Sequence, residues 1–236
     1  MVPIGDSPHW EVAYVASTES LGKGATAFMI LKTIRVGPFG TNCYIVGCET
    51  SKEAIVIDPG DEADLILEEL KAAGLMCRII VNTHGHVDHI TANKALAEAT
   101  GAVIAIGAED APSLLDPTLS LSRALGNIAK GKTSPPADVL LAEGDTVYAG
   151  NVCLEILHTP GHTRGSISLL GEGVVFSGDT IFASGGIGRT DFPGGSYDEL
   201  VESIEEKLLV LPDETRVYPG HGPSTTIGRE RMRLGR

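Results

Sequence analysis

Residues 83–89 read Thr-His-Gly-His-Val-Asp-His and carry three imidazoles and one carboxylate directly after an apolar run. Neutral imidazole and carboxylate are the nitrogen and oxygen ligands that zinc and similar divalent metals bind in proteins. His84 and His86 can reach one metal from an extended chain. Asp88 and His89 follow where a helix is expected to begin, so they can face a second metal. This segment, called the metal loop below, therefore predicts a site for two metals.

Three further candidate ligands lie where later strands are expected to end. His162 and His221 each follow a Pro-Gly pair, and Asp179 ends an apolar run that begins at Val174. Proline and glycine end a strand and turn the chain sharply, so each strand presents one ligand at one rim of a sheet. Five of the seven histidines belong to this pattern. A lone structural or surface histidine does not account for it.

Taken together, these residues resemble the motifs of the metallo-β-lactamase superfamily, from roughly residue 29 to the C-terminus. The resemblance implies two groups of three ligands and one bridging carboxylate. The first ligand group is His84, His86 and His162, the second ligand group is Asp88, His89 and His221, and the bridge is Asp179. β-Lactamases of the superfamily usually carry cysteine where this chain has Asp179. Antibiotic hydrolysis is therefore not the expected activity.

Two more motifs resemble the compact bacterial glyoxalase II-like, or hydroxyacylglutathione hydrolase-like, branch. They are Gly-Arg-Thr-Asp-Phe-Pro-Gly-Gly at 188–195 and Pro-Gly-His-Gly-Pro at 219–223. The resemblance implies hydrolysis of a thioester such as S-lactoylglutathione by a metal-bridging hydroxide, which Asp88 would orient as a catalytic residue. Full-length glyoxalase II has a C-terminal helical domain, whereas fifteen residues follow His221 here. Weak discrimination between glutathione and simpler thiols is therefore expected.

Two alternatives remain open. Persulfide dioxygenases share the Gly-Arg-Thr-Asp-Phe motif, and by resemblance such an enzyme would hold a single iron through His84, His162 and Asp179. A non-catalytic metal-binding module is the third reading, which a complete ligand set for two metals disfavours. The expected cofactors are two divalent metal ions, with zinc as the first candidate and iron or manganese as alternatives.

Other residues are expected around this site. Arg189 lies in a glycine-rich segment near the metals, where it could bind a substrate carboxylate or brace the loop through Asp191. Asp58 ends an apolar strand, and the resemblance implies that it braces the metal loop. The segment 110–137, with four prolines and a short helical stretch at 119–130, is expected to form a wall of the substrate pocket. A plain surface insertion is the alternative.

Composition bounds the class of protein and its partners. A chain of 236 residues with 42% hydrophobic content can bury the core of one domain. The net charge of −13 argues against nucleic acid, which requires a basic face. No run approaches the roughly 20 apolar residues that span a bilayer. The expected partner is a small-molecule thioester, with no nucleic acid and no membrane, and a homo-oligomer is left open.

The cysteines and the N-terminus bear on location and domain limits. Four widely spaced cysteines are expected to be buried free thiols, as in a reducing cytoplasm. Residues 1–28 lack the order of a signal peptide and are expected to be an N-terminal extension, either non-native or disordered. The hydrolase domain is then expected to span residues 29–236.

Periodicity predicts the elements that must position the ligands. Strands are expected at 30–36, 43–46, 54–57, 78–81 and 103–106, with helices at 62–73 and 90–99. A second strand series is expected over 146–176, followed by a helix at 197–211 whose Ser196 and Glu199 are spaced as a capping box. Both halves place strands before a helix. This order predicts an α/β protein and fits the four-layer αβ/βα sandwich, the metallo-β-lactamase fold, that the resemblance implies.

Overall fold

The computed structural model of the protein describes residues 12–16, 28–124, 129, 132–171 and 173–235. Within these residues the first sheet has seven strands, which follow one another in chain order. They are β1 (Val12–Ala16), β2 (Phe28–Val36), β3 (Thr41–Cys48), β4 (Glu53–Ile57), β5 (Met76–Asn82), β6 (Val103–Gly107) and β7 (Val139–Leu141). The pairs from β1 to β4 are antiparallel, and those from β4 to β7 are parallel. The carboxyl ends of β4, β5 and β6 therefore share one rim.

The second sheet has six strands among the described residues, in the order β13-β12-β11-β10-β9-β8. They are β8 (Thr146–Ala149), β9 (Val152–His158), β10 (Ile167–Gly171), β11 (Val174–Gly178), β12 (Arg216–Pro219) and β13 (Thr225–Thr226). β10 is antiparallel to both β9 and β11, while β11 and β12 are parallel. The carboxyl ends of β9, β11 and β12 consequently point the same way.

Helices cover the outer faces of both sheets. They are α1 (Ala63–Ala72), α2 (Val87–Ile90), α3 (Asn93–Thr100), α4 (Tyr197–Ser203), which continues into a π-helical turn (Ile204–Leu208), and α5 (Ile227–Arg233). Apolar side chains of α1 and α3 pack on the first sheet, and those of α4 and α5 pack on the second. Between the sheets, the ring of Phe176 lies 5.1 Å from that of Tyr44 and 5.5 Å from that of Tyr218. The four-layer sandwich is confirmed.

The expected strands are present, and most extend by one or two residues at an end. Two expected helices differ. The helix predicted at 90–99 is divided into α2 and α3 because the N–H of Ala92 donates to the carbonyl oxygen of Pro59. The helix predicted at 197–211 ends at Leu208. Ser196 accepts from the N–H of Glu199 as expected, but its own N–H donates to the carbonyl oxygen of Gly161, so the reciprocal bond of a capping box does not form.

Three other expectations meet the structure only in part. Residues 119–124 form turns rather than the expected helix, and part of 125–131 lies outside the described residues. In the N-terminal extension, β1 pairs antiparallel with β2, and residues 1–11 and 17–27 lie outside the described residues. Cys43, Cys48 and Cys77 are buried free thiols, but Cys153 is exposed because strand alternation turns it to the outer side of β9. The described part of the chain holds no helix with the length and apolar composition that a membrane crossing requires.

Candidate metal centre

The metal loop joins the end of β5 to α2. The chain bends at Thr83 and His84 and is extended at His86, which has φ −69° and ψ 146°, and α2 then begins at Val87. The side-chain amide of Asn82 donates to the carbonyl oxygen of His89 at 2.9 Å and ties the two ends of the loop together. His86 leaves extended backbone and Asp88 and His89 leave a helical turn, as predicted, whereas His84 leaves a bend.

The first ligand group comes together from the metal loop and the loop after β9. Its three ligand atoms all lie within 4.8 Å of one another. Nε2 of His162 lies 3.0 Å from Nδ1 of His86. The ring centre of His84 lies 4.7 Å from that of His86 and 4.8 Å from that of His162. Three imidazoles this close present several nitrogen lone pairs to one small volume.

The second ligand group also lies within 4.8 Å, and Asp179 faces both groups. Nε2 of His221 lies 3.3 Å from Oδ2 of Asp88. Oδ1 of Asp179 lies 3.7 Å from Nε2 of His89, while its Oδ2 lies 3.7 Å from Nε2 of His162. One carboxylate is therefore turned toward a member of each group, as a bridging ligand requires.

In His162 and His89, the ring nitrogen farther from the cluster, Nδ1, is hydrogen-bonded, and the other nitrogen, Nε2, faces the cluster. Nδ1–H of His162 donates to the carbonyl oxygen of Arg189 at 2.7 Å, and Nδ1–H of His89 donates to Oδ2 of Asp58 at 3.0 Å. Carbonyl and carboxylate oxygens only accept, so in the neutral ring Nδ1 keeps the proton and Nε2 keeps a lone pair. Metal-binding histidines are commonly oriented in this way.

The polar atoms at the centre fit a metal. Among the described residues, three of these buried atoms have no hydrogen-bond partner: Nε2 of His84, Nε2 of His89 and Oδ1 of Asp179. An unpaired buried polar group costs about 1–3 kcal/mol, so this concentration needs a compensating ligand. Ligands 2.0–2.2 Å from a tetrahedral ion lie about 3.3–3.6 Å apart. The nitrogen-to-oxygen separations of 3.3–3.7 Å are close to that spacing.

Charge is distributed unevenly over the cluster. Burial lowers the pKa of His84 well below its usual range, and the neighbouring imidazoles lower it further. Burial also acts to lower the pKa of His89, but the carboxylates of Asp88, Asp58 and Asp179 outweigh it and raise that pKa to about 10. Burial acts to raise the pKa of Asp88, but His89 and His221 hold it well below its usual range. Converging carboxylates thus favour a cation at the centre.

Asp58 lies where the sequence predicted, against the metal loop. It adopts the left-handed backbone region at φ 50°, which aspartate tolerates better than most residues. Its carboxylate accepts from the N–H of Thr83 at 2.7 Å, from Oγ1–H of Thr83 at 2.6 Å, and from His89. Oγ1 of Thr83 in turn lies 3.1 Å from Nδ1 of His84. Through these contacts one carboxylate orients a member of each ligand group.

Asp110 is a contributor that sequence reasoning did not identify. It is buried, and its carboxylate accepts from the N–H groups of Gly85 and Gly165 and from the hydroxyl of Thr163. Burial raises the pKa of this carboxyl, against the lowering effect of those three donors. A signal was present in the sequence, because Asp110 follows β6, whose carboxyl end shares the rim of β5.

His221 is positioned by β3, which is remote in the chain. The side-chain amide of Asn42 donates to the carbonyl oxygens of Pro219 and Gly222 at 2.9 and 2.8 Å, on either side of His221. Gly220 must be glycine here, because a Cβ would overlap Oδ1 of Asp179 and crowd His89. The Pro-Gly turn therefore brings the backbone into contact with the cluster.

Arg189 lies on the surface side of the cluster. Its guanidinium binds the carboxylate of Asp191 at 2.9 and 2.7 Å and lies 4.2 Å from the ring centre of Phe192. The ring of Phe192 in turn contacts that of His86. These contacts support the bracing alternative, and binding of a substrate by Arg189 stays a prediction.

Segment 110–137 packs beside the metal loop. The N–H of Val87 donates to the carbonyl oxygen of Ser120 at 2.9 Å. Ala129 and Lys132 line a cleft that also contains Phe39 and reaches Asp88. The segment therefore lies beside the metal loop, and its role as a wall of the substrate pocket stays a prediction.

Comparison with known proteins identifies the family. The metallo-β-lactamase superfamily domain matches residues 36–221, so the chain belongs to the metallo-β-lactamase superfamily. Among curated relatives, a protein of Aquifex aeolicus described as uncharacterized is 42% identical over 86% of this chain and 94% of its own length. "Hydroxyacylglutathione hydrolase GloC" of Haemophilus influenzae is 36% identical over 86% of this chain and 95% of its own length.

Solved structures agree on the fold. BLEG-1, described as a B3 metallo-β-lactamase, superposes with a TM-score of 0.80 at 38% identity, covering 86% of this chain and 96% of its own. ETHE1 from Myxococcus xanthus gives 0.71 at 34% identity, covering 86% and 82%. TTHA1623, in a di-iron-bound form, gives 0.75 at 36% identity, covering 85% and 96%.

Proposed function

We propose that the protein is a metal-dependent hydrolase that cleaves a small thioester of the S-lactoylglutathione type. The observation that carries the proposal is the position of the Asp179 carboxylate, which faces a histidine of each ligand group. The 36% identity to a hydroxyacylglutathione hydrolase over most of both chains supports the choice of substrate. Superfamily membership supports a metallo-hydrolase in general.

In this proposal the two ligand groups each hold one divalent ion, and Asp179 is shared. Zinc is the first candidate because the donors are imidazole and carboxylate, and the di-iron form of TTHA1623 supports iron as an alternative. Such ions supply Lewis acidity and lower the pKa of water toward neutrality. The thioester would then be attacked by water, with no serine or cysteine of the chain as nucleophile.

Asp88 is the catalytic residue proposed to orient that water. Its pKa is held low by His89 and His221, so at neutral pH it is a carboxylate that can accept a hydrogen bond from the water and orient it. The hydroxyl of Thr41 donates to Oδ2 of Asp88 at 3.2 Å and limits its rotation.

A mononuclear-iron dioxygenase is the second candidate, and the Gly-Arg-Thr-Asp-Phe motif at 188–192, which resembles that of the persulfide dioxygenases, supports it. That chemistry would leave the second ligand group idle. Here the group is assembled within 4.8 Å, and Nε2 of His89 has no partner among the described residues. An assembled, unsatisfied second group favours two metals.

The deciding experiment measures metal content and turnover on the same protein, purified without added metal. Two ions per chain, hydrolysis of S-lactoylglutathione and no oxygen uptake with glutathione persulfide are expected. One iron per chain with persulfide-dependent oxygen uptake would replace the hydrolase with the dioxygenase. Faster hydrolysis of a β-lactam than of any thioester would overturn the substrate class while leaving the metal centre in place.

A further inference from the structure

Asp110 connects two loops that are far apart in the chain. It lies in the 3₁₀ turn that follows β6 (Ala108–Leu114), and its side chain is only 3% exposed. Oδ2 accepts from the N–H of Gly85 at 2.8 Å and from Oγ1–H of Thr163 at 2.8 Å, and Oδ1 accepts from the N–H of Gly165 at 2.9 Å. Among the described residues, the hydrogen-bond partners of this carboxylate are all donors, one from the metal loop and two from the loop that follows β9.

The donors lie beside the first ligand group. Gly85 separates His84 from His86 in the metal loop, and Thr163 directly follows His162. Gly85 also has no room for a side chain, because a Cβ would overlap Cβ of Ser113 in the turn that carries Asp110. The backbone between the two histidines is thereby held against this turn.

We propose that Asp110 is the positioning residue for the first ligand group, holding His84 and His86 in register with His162. The second ligand group does not depend on it, because its members are held by Asp58, Thr41 and the Asn42 contacts around His221. The inference rests on the metal-binding part of the proposed function and is independent of the substrate.

The chemistry of the side chain suggests the variant. A carboxylate has only acceptors, which suits three donors, whereas asparagine replaces one acceptor oxygen with an NH₂ donor. In either amide orientation that donor faces the N–H of Gly85 or of Gly165. Asp110→Asn should therefore loosen the two loops with almost no change in volume. Outer-sphere changes of this kind typically weaken metal affinity by about 10–100-fold.

Glu230 offers a matched control at another site. It too is buried, and its carboxylate accepts from the N–H groups of Ser184 and Gly185 and from the hydroxyl of Thr225. Glu230→Gln removes an acceptor from a similar network without touching Gly85, Thr163 or Gly165. Any general effect of disturbing a buried carboxylate should appear in both variants.

The test isolates each ligand group. In a His221→Ala background, metal-free protein is titrated with Zn²⁺ against a chelator to report the first group, and a His162→Ala background reports the second. Asp110→Asn should weaken zinc binding by about 10–100-fold in the first background only. Glu230→Gln should change neither, and apo-protein melting checks folding.

The outcomes separate the two claims. Equal loss in both backgrounds, or no loss in the first, would overturn the positioning role while leaving the metal centre intact. Unmutated protein that binds no zinc in this titration would instead count against the metal-binding part of the proposed function.

Discussion

The two halves of the ligand set are built differently. Four ligands come from one segment of six residues, His84 to His89, at the end of a single strand. The other three, His162, Asp179 and His221, come from three loops after β9, β11 and β12. The first half is arranged by local chain geometry, whereas the second exists only when three strands pack in parallel directions. Sequence spacing alone therefore indicates which ligands of the first half can lie close together. It gives almost no information on the distances between the ligands of the second half.

The supports of the two halves overlap in range. Asn82, directly before the metal loop, bonds to His89, whereas Thr83 and His89 within the loop bond to Asp58, which is 25 and 31 residues away. In the dispersed half, His162 bonds to the carbonyl oxygen of Arg189, and the loop of His221 bonds to Asn42. Arg189 is 27 residues from His162 in the chain, and Asn42 is 177 residues from Pro219, whose carbonyl oxygen it binds. Both halves therefore depend on residues outside the cluster, and the most remote support is that of the His221 loop.

The largest expected effect comes from comparing one carboxylate of each half. Asp179→Ala removes the ligand that faces both groups and should lower metal content below one ion per chain. Asp88→Ala removes a member of the second group only, so one ion should remain. A metal centre stabilises the transition state by several kcal/mol. Its loss in Asp179→Ala should therefore lower kcat/KM for the thioester by at least about a thousandfold. Metal analysis and steady-state kinetics check both variants.

Retention of two ions by Asp179→Ala would contradict the bridging role. Loss of both ions from Asp88→Ala would show that the metal loop acts as one unit, and the distinction between the ligand groups would then fail.

An intermediate effect is expected at Glu230, which holds the Ala183–Gly185 turn in the loop after Asp179. Burial acts to raise the pKa of Glu230, but its bonds from Thr225, Gly185 and Ser184 and the nearby Arg233 lower it from 4.5. Because the folded-state pKa of Glu230 is lower than its unfolded-state pKa, its ionised form stabilises the folded protein fully at pH values above the unfolded-state pKa. This stabilisation is lost as pH falls through the folded-state pKa. Glu230→Gln should lower the free energy of unfolding by about 1–3 kcal/mol at neutral pH.

Denaturant unfolding at several pH values measures this effect. The gap between the original protein and Glu230→Gln should be widest at neutral pH and should narrow below pH 4.5. A gap that widens toward acid pH would mean that Glu230 is already protonated in the folded protein.

The smallest effect is expected at Arg189, whose side chain is exposed and paired with Asp191. Screening by solvent makes such a pair a weak contributor to stability. Arg189→Ala should leave metal content and the melting temperature nearly unchanged, because the contact to His162 is made by its backbone carbonyl. If Arg189 also binds substrate, KM should rise with little change in kcat.

Asp191→Ala is the matched variant, since it frees the guanidinium but keeps it in place. A raised KM in Arg189→Ala alone indicates substrate binding. Equal behaviour of both variants indicates bracing of the loop, and no change in either removes Arg189 from the site.

Much of the fold was predictable because its signals are local. Alternating or continuous apolar runs identified the strands, and Gly74 and Gly101 ended two helices in the left-handed conformation that glycine adopts readily. Failures came where tertiary contacts override local pattern. Ala92 bonds to Pro59 and divides a helix, and Ser196 bonds to Gly161 instead of completing a capping box. Neither partner can be read from a local window.

For the candidate site, the sequence by itself determined the residue types, because the dense metal loop and two Pro-Gly-His turns have few structural explanations. The family resemblance implied that Asp58 braces the metal loop, and its carboxylate contacts Thr83 and His89 in that loop. Only the tertiary structure decided that Asp179 faces both ligand groups and that Asp110 joins the metal loop to the loop of His162. Such contacts depend on strand order and direction. Asp110, for example, is 25 residues from Gly85 and 53 residues from Thr163 in the chain. Spacing along a chain reports which side chains can share a local turn, whereas convergence of distant loops is set by the packing of the two sheets.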